Sequence, residues 1–151
     1  MRNNYRNNRI NRTNQFIITN DYGNDPFVVN IEKATEQNNN FRTTLWTGTY
    51  MQTTLMSIEP GSSIGLEIHP DTDQFLKIES GMGQVFMGKA RENLNFRQNI
   101  REGFAIFVPV GTWHNVVNTG KSPLKLYSVY APPHHPRGTV NATKSAAESS
   151  P

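Results

Sequence analysis

The stretch "GLEIHPDTDQF", residues 65–75, sets an acid, an imidazole and an amide close together as Glu67, His69 and Gln74, and a second imidazole follows at His114 in "GFAIFVPVGTWHNVVN". Two imidazoles and a carboxylate suit a divalent iron, manganese, nickel or zinc ion with open coordination positions. An ion so held polarises a carbonyl or hydroxyl, or binds dioxygen. The chain contains no cysteine, so thiolate ligands, disulfides and a cysteine nucleophile are excluded together. Asp73 competes with Gln74 for the third place if the loop shifts by one residue, while Asp71 reads as a turn cap.

These side chains need elements to aim them. Short runs rich in Val, Ile, Thr, Phe and Tyr recur along the chain: "FVVNI", "TTLWTGTY", "QTTLMSI", "IGLEIH", "QFLKIE", "GQVFMG", "FAIFVP", "WHNVVN" and "LKLYSVY". Separators such as "EPGSS", "HPDTD", "ESGMG", "PVGT" and "NTGKSP" carry the Gly, Pro, Asp and Asn of turns. Apart from a possible short helix near 143–149, no window has a helical period. Many short strands at even spacing predict an all-β sandwich or barrel. Strand alternation then puts Gly65, Glu67 and His69 on one face, with Leu66 and Ile68 on the other. Gln74, Leu76 and Ile78 likewise share a face, and Lys77 and Glu79, which favour water, point away from it. Both alternations place Glu67, His69 and Gln74 inside the barrel, where a carboxylate is costly unless paired or coordinated. The turn at Pro109 and Gly111 folds the chain back and can bring His114 opposite the Glu67–His69 pair. Tyr50, Met56, Phe107 and Tyr130 are among the aromatic or soft residues that can line a pocket there.

These residues resemble the two motifs of the cupin superfamily of small β-barrels. The second motif is a Gly, five residues, Pro-x-Gly, two residues, His, three residues and Asn. It is met at Gly103, Pro109, Gly111, His114 and Asn118. The first runs from Gly61 through His69 to Gly81, with Glu67 where the first histidine of His-x-His would stand and Gln74 where the glutamate would. The resemblance covers roughly residues 50–130 and implies a double-stranded β-helix, or jelly-roll barrel. It also implies one divalent metal ion held by Glu67, His69, Gln74 and His114. The usual set is three neutral imidazoles and a carboxylate; here the carboxylate has moved, and the ligand charge remains −1. That is the signature of a rebuilt site rather than a lost one. The amide oxygen is a weaker donor and predicts lower affinity.

Around this barrel, expected over 27–131, lie two polar ends. Residues 1–26 form an Asn/Arg-rich arm, expected to be flexible, in which "FIIT" at 16–19 can add a strand to a neighbouring sheet. Residues 132–151 begin "PPHHP" and form a polar tail, draped or disordered, with His134 and His135 exposed or serving as a lid. The formal charge is +3, and setting aside Arg2, Arg6, Arg9 and Arg12 leaves about −1 for the rest. A near-neutral body and an arm with no stacking pattern argue against nucleic acid. No run reaches the roughly 18 apolar residues of a membrane helix, and there is no signal-peptide pattern, so a cytoplasmic location is the expectation. Cupin barrels commonly pair through edge strands, which predicts a homodimer, refuted by a monomer mass in light scattering.

Three function classes follow. The first is a metal-dependent enzyme acting on a small hydroxylated or carbonyl compound, similar to the sugar-isomerase branch of cupins. Glu67 or a displaced water would then move protons, and a dioxygenase is the runner-up chemistry. The second is a module that binds a small ligand without turnover. The third is a structural or assembly protein using the arm. No Gly-rich loop opens a helix, and no cluster of Arg or Lys lies close to the expected ligands, which argues against a phosphorylated sugar as substrate.

Overall fold

The computed structural model describes residues 20–149. The arm before residue 20, including "FIIT", lies outside the described residues. Within them run α1 (Ile31–Gln37), β1 (Arg42–Thr47), β2 (Gln52–Ile58), β3 (Asp73–Ser80), β4 (Met82–Gly88), β5 (Phe96–Arg101), β6 (Ala105–Val108), β7 (Trp113–Asn118), β8 (Leu124–Ala131), β9 (Val140–Asn141) and α2 (Lys144–Glu148). Every pairing is antiparallel, in a six-stranded sheet ordered β6-β3-β8-β2-β1-β9 and a three-stranded sheet ordered β5-β4-β7. This is an all-β barrel, as the strand and turn spacing predicts, in the jelly-roll form that the cupin resemblance implies.

The main core lies between the sheets. It contains Met56, Ile58, Leu76, Ile78, Leu124 and Leu126, each 0–1% exposed, closed from the other side by Val85, Ile100 and Val116. A second, smaller core lies outside the large sheet, where Leu45 and Leu55 meet Ala34 of α1 with Phe27, Val29 and Ile31 around them. The run "FVVNI", expected as a strand, is therefore something else. Asn30 caps α1, its Oδ1 accepting from the Lys33 amide at 3.1 Å, and Ile31 is the first helical residue. Val29 and Ile31 serve as the apolar underside of a helix entry, while Val28 is exposed; tertiary packing overrides their strand propensity.

Two further departures have local causes. Glu79 was expected to face water, yet it is buried and paired with Lys77 (Nζ–Oε1 2.8 Å), because α1 packs over that face of β3 and β8. Strands β5 and β9 were not anticipated. In β5, "FRQNIR", Ile100 is the only buried residue of the six, so a polar edge strand shows no alternation to read.

The C-terminal segment is draped along the barrel. Its β9 extends the large sheet, Asn141 pairing with Arg42 and Val140 with Thr43. Thr143 caps α2 by accepting from the Ala146 amide at 3.1 Å. Lys144 Nζ then donates to Ser63 Oγ at 3.0 Å, and Ala147 packs against the main core. The segment thus bridges the outer edge of the large sheet to the stretch beside β7.

Candidate metal centre

Residues directly opposite in an antiparallel ladder project from the same face, so the register gives the barrel interior row by row. Ile78, Leu126, Met56 and Arg42 form one row; Leu76, Ser128, Thr54 and Thr44 form the next; Gln74, Tyr130 and Gln52 form the third. The interior passes from hydrocarbon to polar groups within two steps along each strand. Glu67, His69 and His114 belong to the polar end, since the His69 ring centroid is 5.1 Å from that of His114 and 5.6 Å from that of Tyr130.

"IGLEIH" does not form the continuous strand expected of it. It touches β7 through two bridges, Ser63 to Val117 and Glu67 to His114. Four steps on one side match three on the other, which is a β-bulge. Gly65 takes up the extra residue at φ 96°, a conformation costly for other residues. Beyond the bulge, Glu67 and His114 exchange both backbone bonds, at 3.0 and 2.9 Å. Their side chains therefore rise together, as the hairpin argument required. The Gly111 amide donates to the His69 carbonyl at 2.9 Å, tying the turn to the same place.

The tautomer of His114 follows from its neighbour. Nδ1 lies 2.9 Å from the Thr112 carbonyl, which can only accept, so Nδ1 carries the hydrogen and Nε2 presents a lone pair. Burial, outweighing that carbonyl and Glu67, holds this imidazole below its ordinary pKa and keeps it neutral. Glu67 behaves oppositely. Burial raises its pKa, but His69, with smaller pulls from His114 and Arg42, brings it below the usual carboxylate range. The carboxylate Oε2 lies 3.1 Å from His69 Nε2, close enough for charge attraction but without hydrogen-bond alignment.

Gln74 is 5% exposed and donates Nε2 to Ser128 Oγ at 2.7 Å, which fixes the amide and leaves Oε1 free. Asp73 is exposed and accepts from the Val110 amide at 3.0 Å, so it braces the Pro109–Gly111 turn and takes no part in the interior. Among the described residues, the buried side-chain nitrogens and oxygens with no partner are six: both ring nitrogens of His69, His114 Nε2, Gln74 Oε1, Thr54 Oγ1 and Arg42 Nε. Native interiors leave few such atoms, and each asks for an occupant. Three of the four expected ligands, His69, His114 and Gln74, present unpartnered donor atoms beside a carboxylate. That donor set fits a divalent ion.

The structure adds a residue the motifs do not contain. Glu67, His69 and His134 each offer a ligand atom, and these atoms lie within 4.8 Å of one another. His134 is exposed at its outer side, while its ring centroid is 4.2 Å from that of His69 and 5.4 Å from that of Tyr130. A buried glutamine secures the segment that carries it. Gln52, 0% exposed, donates Nε2 to the His135 carbonyl at 2.8 Å and accepts on Oε1 from the amides of His134 and His135 at 3.2 and 2.9 Å. His135 Nε2 is 3.3 Å from the Tyr130 hydroxyl. Burial, with Arg42 and His134 adding to it, lowers the His135 pKa to about 3. Burial likewise pushes Tyr130 up to about 12, so both groups are neutral. Of the pocket-lining residues expected from sequence, Met56 and Tyr130 face inward, whereas Tyr50 and Phe107 are 82% and 70% exposed.

Residues 54–130, the stretch that carries the sheets and this cluster, match the cupin domain family. The chain is a cupin. It is 62% identical to the uncharacterized protein YrkC of Bacillus subtilis (strain 168) over 131 residues, covering 87% of this chain and 70% of that one. It is 37% identical to the uncharacterized protein L612 of Acanthamoeba polyphaga mimivirus over 122 residues, 80% of this cupin and 74% of the viral protein. The crystal structure of BH2720 from Bacillus halodurans superposes with a TM-score of 0.87 at 56% identity, over 87% of this chain and all (100%) of that one. No helix among the described residues is long and apolar enough to cross a membrane.

Proposed function

We propose that this cupin is a divalent-metal enzyme acting on a small hydroxylated or carbonyl compound, with Glu67, His69, His114 and Gln74 as the barrel ligands and His134 as an additional, exposed one. One observation carries the reading: His69 and His114, their ring centroids 5.1 Å apart, keep unpartnered ring nitrogens beside an ionised carboxylate, and Gln74 on the inner face leaves its Oε1 unpartnered. When bound, the metal supplies polarisation of a substrate oxygen. The chain supplies the rest. Glu67 is ionised and only partly buried, so it can take a proton from a carbon or hydroxyl beside that oxygen and return it. His114 and Gln74 are fixed by their hydrogen bonds to Thr112 and Ser128. His134 stands at the solvent side, where an entering substrate meets it first.

Elemental analysis of protein purified without added metal or chelator tests the centre. Near-stoichiometric metal is expected, falling in Glu67→Ala, His69→Ala and His114→Ala, and less in Gln74→Ala. Metal content indifferent to all four substitutions would remove the reading. Proton transfer is tested by deuterium uptake from heavy water at the carbon beside the carbonyl of dihydroxyacetone, expected with wild type and absent with Glu67→Ala. Dioxygen consumption with an iron-loaded protein, in place of exchange, would move the chemistry to oxygenation.

A further inference from the structure

Two of the unpartnered interior atoms are not needed by a metal. Arg42 is 7% exposed and lies on the inner face, in the row of Met56 and Leu126. Its Nη1 reaches Asn141 Oδ1 at a long 3.4 Å, and its guanidinium carbon lies 5.3 Å from the Phe41 ring centroid. Its Nε hydrogen has no acceptor. Ion pairs among the described residues join Glu67 to His69 and Lys77 to Glu79; Arg42 has none. One row nearer the metal ligands, Thr54 is 0% exposed and its hydroxyl is likewise unpartnered.

A guanidinium removed from water without a counter-ion is costly, and unlike a lysine it cannot shed its proton to relieve the cost. Nε and the adjacent Nη form the edge that receives both oxygens of one carboxylate. The barrel therefore keeps a desolvated cation, with part of that edge unpartnered, one row inward of Thr54 and within electrostatic reach of Glu67 and Tyr130. We propose that Arg42 and Thr54 form an anion-binding end of this site, and that its ligand is a small monocarboxylic acid whose hydroxyl or carbonyl oxygen reaches toward His69 and His114. The identity of the far end rests on the metal reading; the anion end does not. A single guanidinium balances one negative charge, which favours a carboxylate over a phosphate dianion. The positive charge of Arg42 also acts on Glu67, Tyr130, His134 and His135, which places it within electrostatic reach of the whole cluster.

The test is a titration followed through the Arg42 Nε–H resonance, assigned by its loss in Arg42→Lys. Lactate is added to the protein as purified and again after chelator treatment, with lactamide and inorganic phosphate in parallel. Lactate should move this resonance saturably in both preparations, lactamide should not, and Arg42→Met should weaken lactate binding about tenfold or more. If Arg42→Met does not fold, the wild-type resonance still decides. A resonance indifferent to lactate, an equal response to lactamide, or displacement of lactate by lower concentrations of phosphate would overturn the proposal. A lactate response in protein that never holds metal would retain the anion end and remove the metal centre. Bound metal with no lactate response would do the reverse.

Discussion

The two ends of the barrel interior are built on the same strands and differ in one respect. At one end β3, β8 and β2 contribute Ile78, Leu126 and Met56, packed with no polar atom to satisfy. Two to four residues further along, those strands contribute Gln74, Ser128, Tyr130, Thr54 and Gln52. Backbone pairing and twist are continuous through both. Stability and chemistry are therefore largely separated along the strands rather than between domains: among the described residues, five of the six unpartnered atoms belong to the polar rows or the cluster beside them, and the sixth, Arg42 Nε, stands in the row of Met56 and Leu126. A core position tolerates no missing methyl, whereas a site position tolerates a missing partner because a ligand supplies it.

The sharpest way to break this contrast is to exchange the expected effects. Leu126→Ala, at 0% exposure, should lose about 2–5 kcal/mol in urea unfolding, while metal content per folded molecule stays unchanged. Gln52→Leu lies between the two ends in its effect. It removes the acceptor and donor that hold the His134–His135 backbone, with an expected loss of about 1–3 kcal/mol. Hydrogen exchange at the His134 and His135 amides should accelerate, and metal affinity should fall with it. Amides that remain protected would show that the segment is held by other contacts. Thr54→Val should be nearly neutral or stabilise by up to about 1 kcal/mol, because it removes a buried hydroxyl with no partner. A clear loss of stability there would mean that the hydroxyl is satisfied in solution and that the polar end is less open than its geometry implies.

How much of this could be read in advance depends on how local the signal is. "QTTLMSI" and "WHNVVN" coincide with β2 and β7 to the residue, because each pairs alternation or β-branched content with a turn on either side. Glu67, His69, Gln74 and His114 were expected together from alternation and one tight turn; the structure sets Glu67, His69 and His114 side by side and Gln74 on the inner face in the row of Tyr130. His134 was not placed there, since prolines announce where a ladder stops and not where the chain goes afterwards. Arg42 was invisible for another reason. An arginine among threonines reads as surface, and only its partners Met56 and Asn141 show that it points inward. Helix α1 was hidden because Val28, Val29 and Ile31 favour strands, and only a distant sheet face decides otherwise.

The smallest expected effect concerns a junction outside the barrel. Asp21 joins three segments: its carboxylate accepts from the amides of Thr47, Gly23 and Gly138 at 2.9, 3.0 and 3.1 Å and from the Thr47 hydroxyl at 2.5 Å. Burial raises its pKa, and these donors more than offset the rise, leaving it below the ordinary value. A depressed carboxylate stabilises the fold above the unfolded-state pKa of about 3.9 and loses that contribution as pH falls through the folded value. Because the group is only partly buried and solvent screens it, the effect should stay within about 1 kcal/mol. The stability difference between wild type and Asp21→Asn should therefore be largest above about pH 5 and shrink below about pH 4. A difference that is constant across that range would mean that an amide serves the junction as well as the carboxylate, and that hydrogen-bond geometry alone, rather than charge, ties the C-terminal segment to β1.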